Sequence, residues 1–277
     1  MLSVILPASN EADLIETCLD AVLASTGLSQ AEVIVVANGC TDDTCAKAGS
    51  YHDRFQARGW RLQVLEVEEG SKIKALNLGD EVATGSTRAY LDADVLISPN
   101  LLNDLMGILN VDAARYASGT LLIERPKSLI SRAYARAYAQ VPFIQDGVPG
   151  AGIFAVNQAG RARWDVFPDI ISDDTFVRLQ FAPGERMRVD ATYEWPVVEG
   201  AANLIKVRRR QNRGVDQIRA LYPHLLVNDD TKPLGLSATL KLLLRDPLAC
   251  LTYVGVAVLV RLTRTSGAAA NDWSRGR

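Results

Sequence analysis

The chain is poor in the residues from which zinc sites, disulfide scaffolds and nucleic-acid surfaces are built. Of 277 residues only two are histidine, His52 and His224, and four are cysteine: Cys18, Cys40, Cys45 and Cys250. No two cysteines form a C-x-x-C pair, so a zinc site is not expected. The scattered thiols read as reduced, which suits a cytoplasmic location. A basic excess is also missing. Thirty Lys and Arg face 32 Asp and Glu, a formal net charge of −2, so no nucleic-acid partner is expected. No basic leader precedes the first apolar run, and no signal peptide is read there. Internal repeats and low-complexity tracts are lacking too. What remains is an ordinary hydrophobic content of 48% and a length that suits an α/β domain with a sizeable core.

That first apolar run, Ser3 to Leu6, reads as a buried strand closed by Pro7. Asn10 and Glu11 follow, with Asn10 placed to cap a helix carrying Ile15, Leu19, Val22 and Leu23. Glu32 to Ala37 reads as a second buried strand, ending in Asn38-Gly39-Cys40-Thr41-Asp42-Asp43-Thr44, where Thr41 or Asp42 would cap the next helix. Leu62 to Val67 is a third strand. It leads through Gly70-Ser71-Lys72 into a helix containing Asn77. A glycine and a lysine at a helix start can address phosphate, but the Walker A spacing is missing. Alternating strands and helices with polar loops at the strand ends predict a parallel α/β sheet, and such loops are where ligands bind.

The fourth strand ends at Asp92-Ala93-Asp94. If the strand continued through them, period two would put both carboxylates on one side. Two such charges need a cation, and a hard divalent metal bound through oxygen suits a phosphate-bearing ligand. Solvated turn residues are the other reading.

Taken in order, P-A-S-N-E-A, V-V-A-N-G-C-T-D-D-T, G-S-K-I-K-A-L-N-L-G and Y-L-D-A-D-V resemble the nucleotide-binding half of the family-2 glycosyltransferases. The resemblance is specific over roughly residues 1–100 and weaker over 145–215. It implies a GT-A fold and an inverting transferase that uses a nucleotide-diphospho-sugar. Pro7, Asn10, Glu11 and Asn38 would hold the nucleobase, and Lys72 and Asn77 would lie near the donor. Asp92 would lie near the ribose, and Asp94, with Asp92, would ligate Mn2+ or Mg2+. The family usually has Asp where this chain has Asn38, an amide that can donate as well as accept. That leaves the expected uracil less firmly specified.

The second half reads as a helix over Leu101 to Asn110, a strand over Ala117 to Glu124 and an amphipathic helix over Ser128 to Val141. Tyr134 and Tyr138 of that helix are read as core. A glycine-dense turn, Gly147 to Gly152, enters a further strand, and the family has a comparable acceptor-side segment. Ser172 is placed to cap a helix that begins with Asp173-Asp174. By local rules these acids favour the helix start. By the resemblance they replace a Glu-Asp pair, with Asp174 as the base that takes the acceptor's proton. Lys206 to Gly214 is strongly cationic. Arg210 alone matches the Q-x-x-R-W of processive relatives, so transfer of one sugar per encounter is expected.

The expected domains are 1–230, divided at about residue 100 into nucleotide and acceptor halves, a helical tail over 231–265, and a disordered end over 266–277. In the tail, the uncharged run Pro247 to Val260 is shorter than the ~20 residues of a membrane span. It fits an interfacial or re-entrant helix, with Arg261 and Arg264 facing anionic headgroups, within a contact region of 236–264. A packing helix or a dimer contact fits as well. The acceptor would be a glycan or a lipid-linked precursor at the inner face of the cytoplasmic membrane. A nucleotidyltransferase and a non-catalytic nucleotide-sugar binder are the competing functions.

Overall fold

The computed structural model describes residues 1–263. Arg264 and the 266–277 end lie outside the described residues. The chain divides into two compact units. One contains Met1–Leu122, Val148–Asp169 and Asp173–Trp195. The other contains Ile123–Gly147, Ile170–Ser172 and the described residues from Pro196 on.

The strands of the first unit are β1 (Leu2–Ala8), β2 (Ala31–Asn38), β3 (Arg61–Val67), β4 (Thr87–Leu91), β5 (Leu96–Ile97), β6 (Tyr116–Ile123), β7 (Ile153–Val156) and β8 (Arg186–Trp195). They form one sheet in the order β3-β2-β1-β4-β7-β6-β8-β5. The helices that alternate with the first five strands are α1 (Ile15–Leu23), α2 (Thr44–Gly49), α3 (His52–Ala57), α4 (Lys72–Val82) and α5 (Leu101–Leu109). After them come α6 (Leu129–Tyr138), α7 (Pro142–Gln145), α8 (Gln158–Arg161), α9 (Asp173–Arg178), α10 (Ala201–Leu221), α11 (Leu236–Arg245) and α12 (Pro247–Leu262).

The expected α/β class is present. Strands β3, β2, β1 and β4 run parallel, whereas β7 pairs antiparallel with β4 and β6, and β5 with β8. Every residue of β1 and β2 is buried. Continuous apolar runs of this kind belong to central strands covered on both faces. The crossover helix α1 buries Ile15, Cys18, Leu19 and Val22, one face at helical spacing.

Three local expectations change. Strand β1 does not stop at Pro7 but continues to Ala8, paired with Val36 and Ala37 of β2. Its pairing with β4 ends at Ile5, so the prolyl nitrogen falls where the strand has lost one neighbour. Asn10 does not cap α1, which starts five residues later with Leu14 before it and no side-chain cap. Asn10 instead adopts φ +53°, a conformation that asparagine tolerates better than most residues. Helix α6 ends at Tyr138, because Pro142 forces Val141 into an extended conformation (φ −65°, ψ 128°).

The second unit is helical. Tyr134 of α6 packs with Leu204, Val256 and Val260, while Ala137 packs with Leu242, Ala249 and Cys250. The tyrosines of α6 are core, as expected. Asp246 accepts two hydrogen bonds from Arg136, at 2.6 and 3.2 Å, and caps α12 through Ala249 N–H at 3.0 Å.

Candidate active site

Strand β4 ends at Leu91, and the chain then turns: Val95 N–H donates to the Asp92 carbonyl at 3.1 Å. The strand therefore does not carry the two acids on one face. They sit on a turn, both half-buried, with Ala93 between them buried. The turn is tied across the sheet, where Asp92 N–H donates to Gly152 O at 2.8 Å. That contact depends on two glycines in left-handed conformations, Gly150 (φ +67°) and Gly152 (φ +84°). A Cβ on Gly150 would lie 1.7 Å from the Tyr116 hydroxyl. One on Gly152 would lie 2.7 Å from Val95 Cγ2. Only glycine lets this segment approach so closely.

A cleft opens at this edge. Pro7, Lys72, Asp92, Gly150, Asp173 and Asp174 are among the residues that line it, above a floor of Tyr90 and Phe154. The cation beside Asp92 is the Lys72 ammonium, at 2.8 Å, which also lies 3.2 Å from Asp173. Lys72 is the first residue of α4, whose start is fixed by the Ser71 hydroxyl accepting from Lys74 N–H at 3.3 Å. Burial alone would pull the ammonium pKa down, but the Asp173 and Asp92 carboxylates beside it hold it well above its ordinary value. Asp173 and Asp174 open the short helix α9. Burial, opposed by Lys72, lifts Asp173 to about 6, with Asp174 and Asp92 adding like charge. Burial also raises Asp174, against the pull of Lys72 and of the Thr175 N–H bond at 2.6 Å. A carboxylate with a raised pKa in a cleft is suited to taking a proton.

Beside the cleft, the loops after β1 and β2 are stitched together. Asn10 accepts from Thr41 N–H at 2.7 Å and from the Thr41 hydroxyl at 3.1 Å. Glu11 N–H donates to Thr44 Oγ1 at 2.7 Å, and Ala12 N–H donates to Asp42 at 3.1 Å. Asp42 also accepts from Thr44 N–H at 3.1 Å, but the residue at the cap position of α2 is Asp43, which makes no side-chain cap, so neither Thr41 nor Asp42 caps the helix as expected. Asn38 is buried, and its amide donates to Ala8 O at 2.9 Å and Val36 O at 3.2 Å. With those N–H groups used, the amide can offer a partner only its carbonyl, and in that respect it resembles the carboxylate it replaces. The buried thiol of Cys18 lies 3.9 Å from the Asp92 carbonyl and feels the negative charge of three acids. Burial first, and then Asp94, Asp92 and Glu11, push that thiol far up.

Two further expected residues remain to be located. Asn77 makes a reciprocal pair with the Phe167 backbone, at 3.0 and 2.7 Å. It anchors the segment before α9 and is not among the residues lining the cleft. Arg210 lies on α10, in the second unit.

A model of the family described as glycosyl transferase family 2 matches residues 3–144, slightly more than half of the chain. The chain belongs to glycosyl transferase family 2. Among curated relatives, the uncharacterized glycosyltransferase YibD of Escherichia coli (strain K12) is 31% identical over 105 residues, 38% of this chain and 29% of the relative. The first relatives matched are covered over only 29–30% of their own length. Two solved structures show the fold. One is the mannosyltransferase PcManGT from Pyrobaculum calidifontis with GDP-Man and Mn2+ (TM-score 0.61, 21% identity, 96% of this chain and 76% of that one). The other is a glucosyl-3-phosphoglycerate synthase from Mycobacterium tuberculosis with Mn2+, UDP and glucosyl-3-phosphoglycerate (TM-score 0.53, 19% identity, 85% and 88%).

In this family-2 chain, no three His, Cys, Asp or Glu side chains among the described residues converge to cage an ion. The acids at the turn suit a different arrangement, in which one or two carboxylates hold the ion and substrate phosphates and water complete its shell. The Lys72 ammonium, seated between Asp92 and Asp173, shows that the corner accepts positive charge. The sequence reading missed the aromatic row beneath the acids. Tyr90 stacks on Phe154 at 4.8 Å and Phe154 on Tyr116 at 5.7 Å. Each sits on a different strand, and only the sheet register brings them together, so no local pattern announces the row.

Proposed function

We propose that this family-2 chain transfers a sugar from a nucleotide-diphospho-sugar, a UDP-sugar in the first instance, to a hydroxyl of a glycan or lipid-linked acceptor, with inversion. The supporting observation is that Asp92, Asp173 and Asp174 line one cleft, in which the Lys72 ammonium pairs with Asp92 and Asp173. Asp174 takes the proton of the acceptor hydroxyl. Its raised pKa makes it a better proton acceptor than an exposed carboxylate, and the nearby ammonium opposes that rise. Lys72 holds Asp92 and Asp173 in place and offers positive charge beside the donor's phosphates. Asn38 presents its amide carbonyl as the acceptor for an imide N–H of the base, and Asn10 and Glu11 shape the neighbouring loop. Asp94, with Asp92, would hold Mn2+ or Mg2+, which when bound offsets charge on the leaving diphosphate. The two solved relatives bind Mn2+ and a GDP-sugar or UDP, which supports both expectations. One base acting opposite the leaving group gives direct displacement and hence inversion.

The test is a screen of nucleotide-sugars by thermal shift with and without Mn2+, followed by initial rates. A UDP-sugar raises the melting temperature because it binds only the folded chain. Asp174→Asn keeps that shift and loses about 10²–10⁴ in kcat/KM, whereas Asp94→Asn loses the Mn2+ dependence of the shift. Undiminished transfer by a folded Asp174→Asn protein would sink the base assignment. Release of pyrophosphate from a nucleoside triphosphate and a sugar phosphate would replace the whole reading with nucleotidyl transfer.

A further inference from the structure

The last two helices each bury one face and present an equally apolar face to water. In α11, Leu242 is packed into the second unit. Across the helix, Leu240 and Leu244 are exposed, the latter 77%. In α12, Ala249, Cys250, Val256 and Val260 are packed inward. On the opposite side Leu251, Val258 and Leu262 form one stripe at helical spacing, with Leu251 65% and Leu262 76% exposed. Single exposed leucines are ordinary, but two such stripes on consecutive helices mark a contact surface.

The charges choose the partner. Between Leu236 and Leu262 the basic residues are Lys241, Arg245 and Arg261, all exposed. The one acid there, Asp246, is held by Arg136 and caps α12. Cations thus border the apolar stripes in a chain whose formal net charge is −2. A second copy docked on this face would bring the same cations together, with only Asp246, already paired with Arg136, as an acid between them. Among the described residues no helix is long and apolar enough to cross a membrane, and α12 has 16 residues. We infer that α11 and α12 lie in the plane of an anionic lipid surface, with leucines in the acyl boundary and Lys241, Arg245 and Arg261 at the headgroups. The inference rests on packing and charge in the second unit and is independent of the transfer chemistry.

The experiment is co-sedimentation of the full chain with vesicles of phosphatidylglycerol and phosphatidylcholine, against phosphatidylcholine alone. Solution mass is measured in parallel. The wild-type chain pellets with the anionic vesicles. Leu251→Glu with Leu262→Glu, at exposed positions where no packing is lost, lowers partitioning on the order of 100-fold with an unchanged melting temperature. Neutralising Lys241, Arg245 and Arg261 to Gln lowers it roughly fivefold per cation and removes the preference for anionic lipid. Three outcomes each overturn the proposal. The wild-type chain could stay in the supernatant with both vesicles. The glutamate variant could pellet like the wild type. Or the chain could be a dimer that the glutamate variant turns into a monomer, which would make the face a protein interface.

Discussion

At one end of the aromatic row under the cleft, Asp80 accepts from Arg88, Arg161 and, at 2.9 Å, the Tyr90 hydroxyl. Towards the other end, Lys72 is shared by Asp92 and Asp173, with Asp174 beside them. Both clusters are largely shielded from water, yet their stoichiometry is inverted. Around Asp80 two cations serve one acid, and the arginines have further acceptors: Arg161 donates to Trp164 O and Asp165 O, Arg88 to Ala83 O. That cluster satisfies itself and ties α4, β4 and α8 together. Around Lys72 the acids outnumber the cation, and Asp173 and Asp174 rise in pKa because of burial, with Asp92 adding like charge to both. Burial of charge therefore does not identify the site by itself. An imbalance that an incoming positively charged or proton-bearing group would relieve does.

The sharpest way to break this contrast is to remove Asp80. Asp80→Asn leaves two largely buried guanidinium groups without a counter-charge and should cost about 3 kcal/mol of stability, read from the urea midpoint. The fraction that remains folded should keep kcat/KM within about threefold, since Asp80 is not among the residues that line the cleft. A stable Asp80→Asn protein with a large loss of rate would mean that the two clusters are not distinct in role.

This contrast explains why parts of the molecule were legible in the sequence and others were not. The buried runs of β1 and β2 are local signals that the fold uses much as they read, whereas the acids after β4 mark the strand's end but sit on a turn and not on one strand face. Pairing is not local. Nothing near Asp92 says that its carboxylate meets Lys72, 20 positions back, or that Asp173 meets the same ammonium from the far side of the chain. Asn77 sits in the expected motif, but its amide is committed to Phe167, 90 residues away. Strand β8 shows its signal only weakly: Arg188, Asp190 and Glu194 are its exposed positions, a broken period-two pattern. Arg210 carries a motif residue on α10, and motif order says nothing about which unit an element joins.

A smaller effect sharpens the acid side of the comparison. Asp173 lies near 6 in the folded chain, above the ~3.9 of an unfolded aspartate. The folded form therefore binds this proton more tightly. Its charged state costs stability above about pH 6, and acidification from about 6 towards 4 relieves that cost. The slope attributable to one such group is at most ~1.4 kcal/mol per pH unit. Asp173→Asn should remove it, so the difference in unfolding free energy between variant and wild type should narrow as pH falls from 7 to 4. A difference that stays flat across this window would show that Asp173 titrates normally and that the cleft carries no excess of negative charge.

The smallest effect compares the two tyrosine hydroxyls at the ends of the row. Tyr90 donates to Asp80, whereas the Tyr116 hydroxyl is buried with no hydrogen-bond partner among the described residues. Burial, with Asp174 adding negative charge nearby, pushes the Tyr116 phenol well above its ordinary range, so it stays protonated as a donor. Removing a hydroxyl that has a partner costs about 1 kcal/mol, and removing one that has none costs little or even stabilises. Tyr116→Phe should therefore change stability by less than ~0.5 kcal/mol in the free protein, and Tyr90→Phe by about 1 kcal/mol or more. The same pair measured with bound donor and acceptor gives the sharper reading. If the Tyr116→Phe cost appears only in the presence of ligand, the orphaned hydroxyl is held ready for a group that enters the cleft. If the cost is already present without ligand, the hydroxyl belongs to the scaffold, as Tyr90 does, and the two ends of the row are alike.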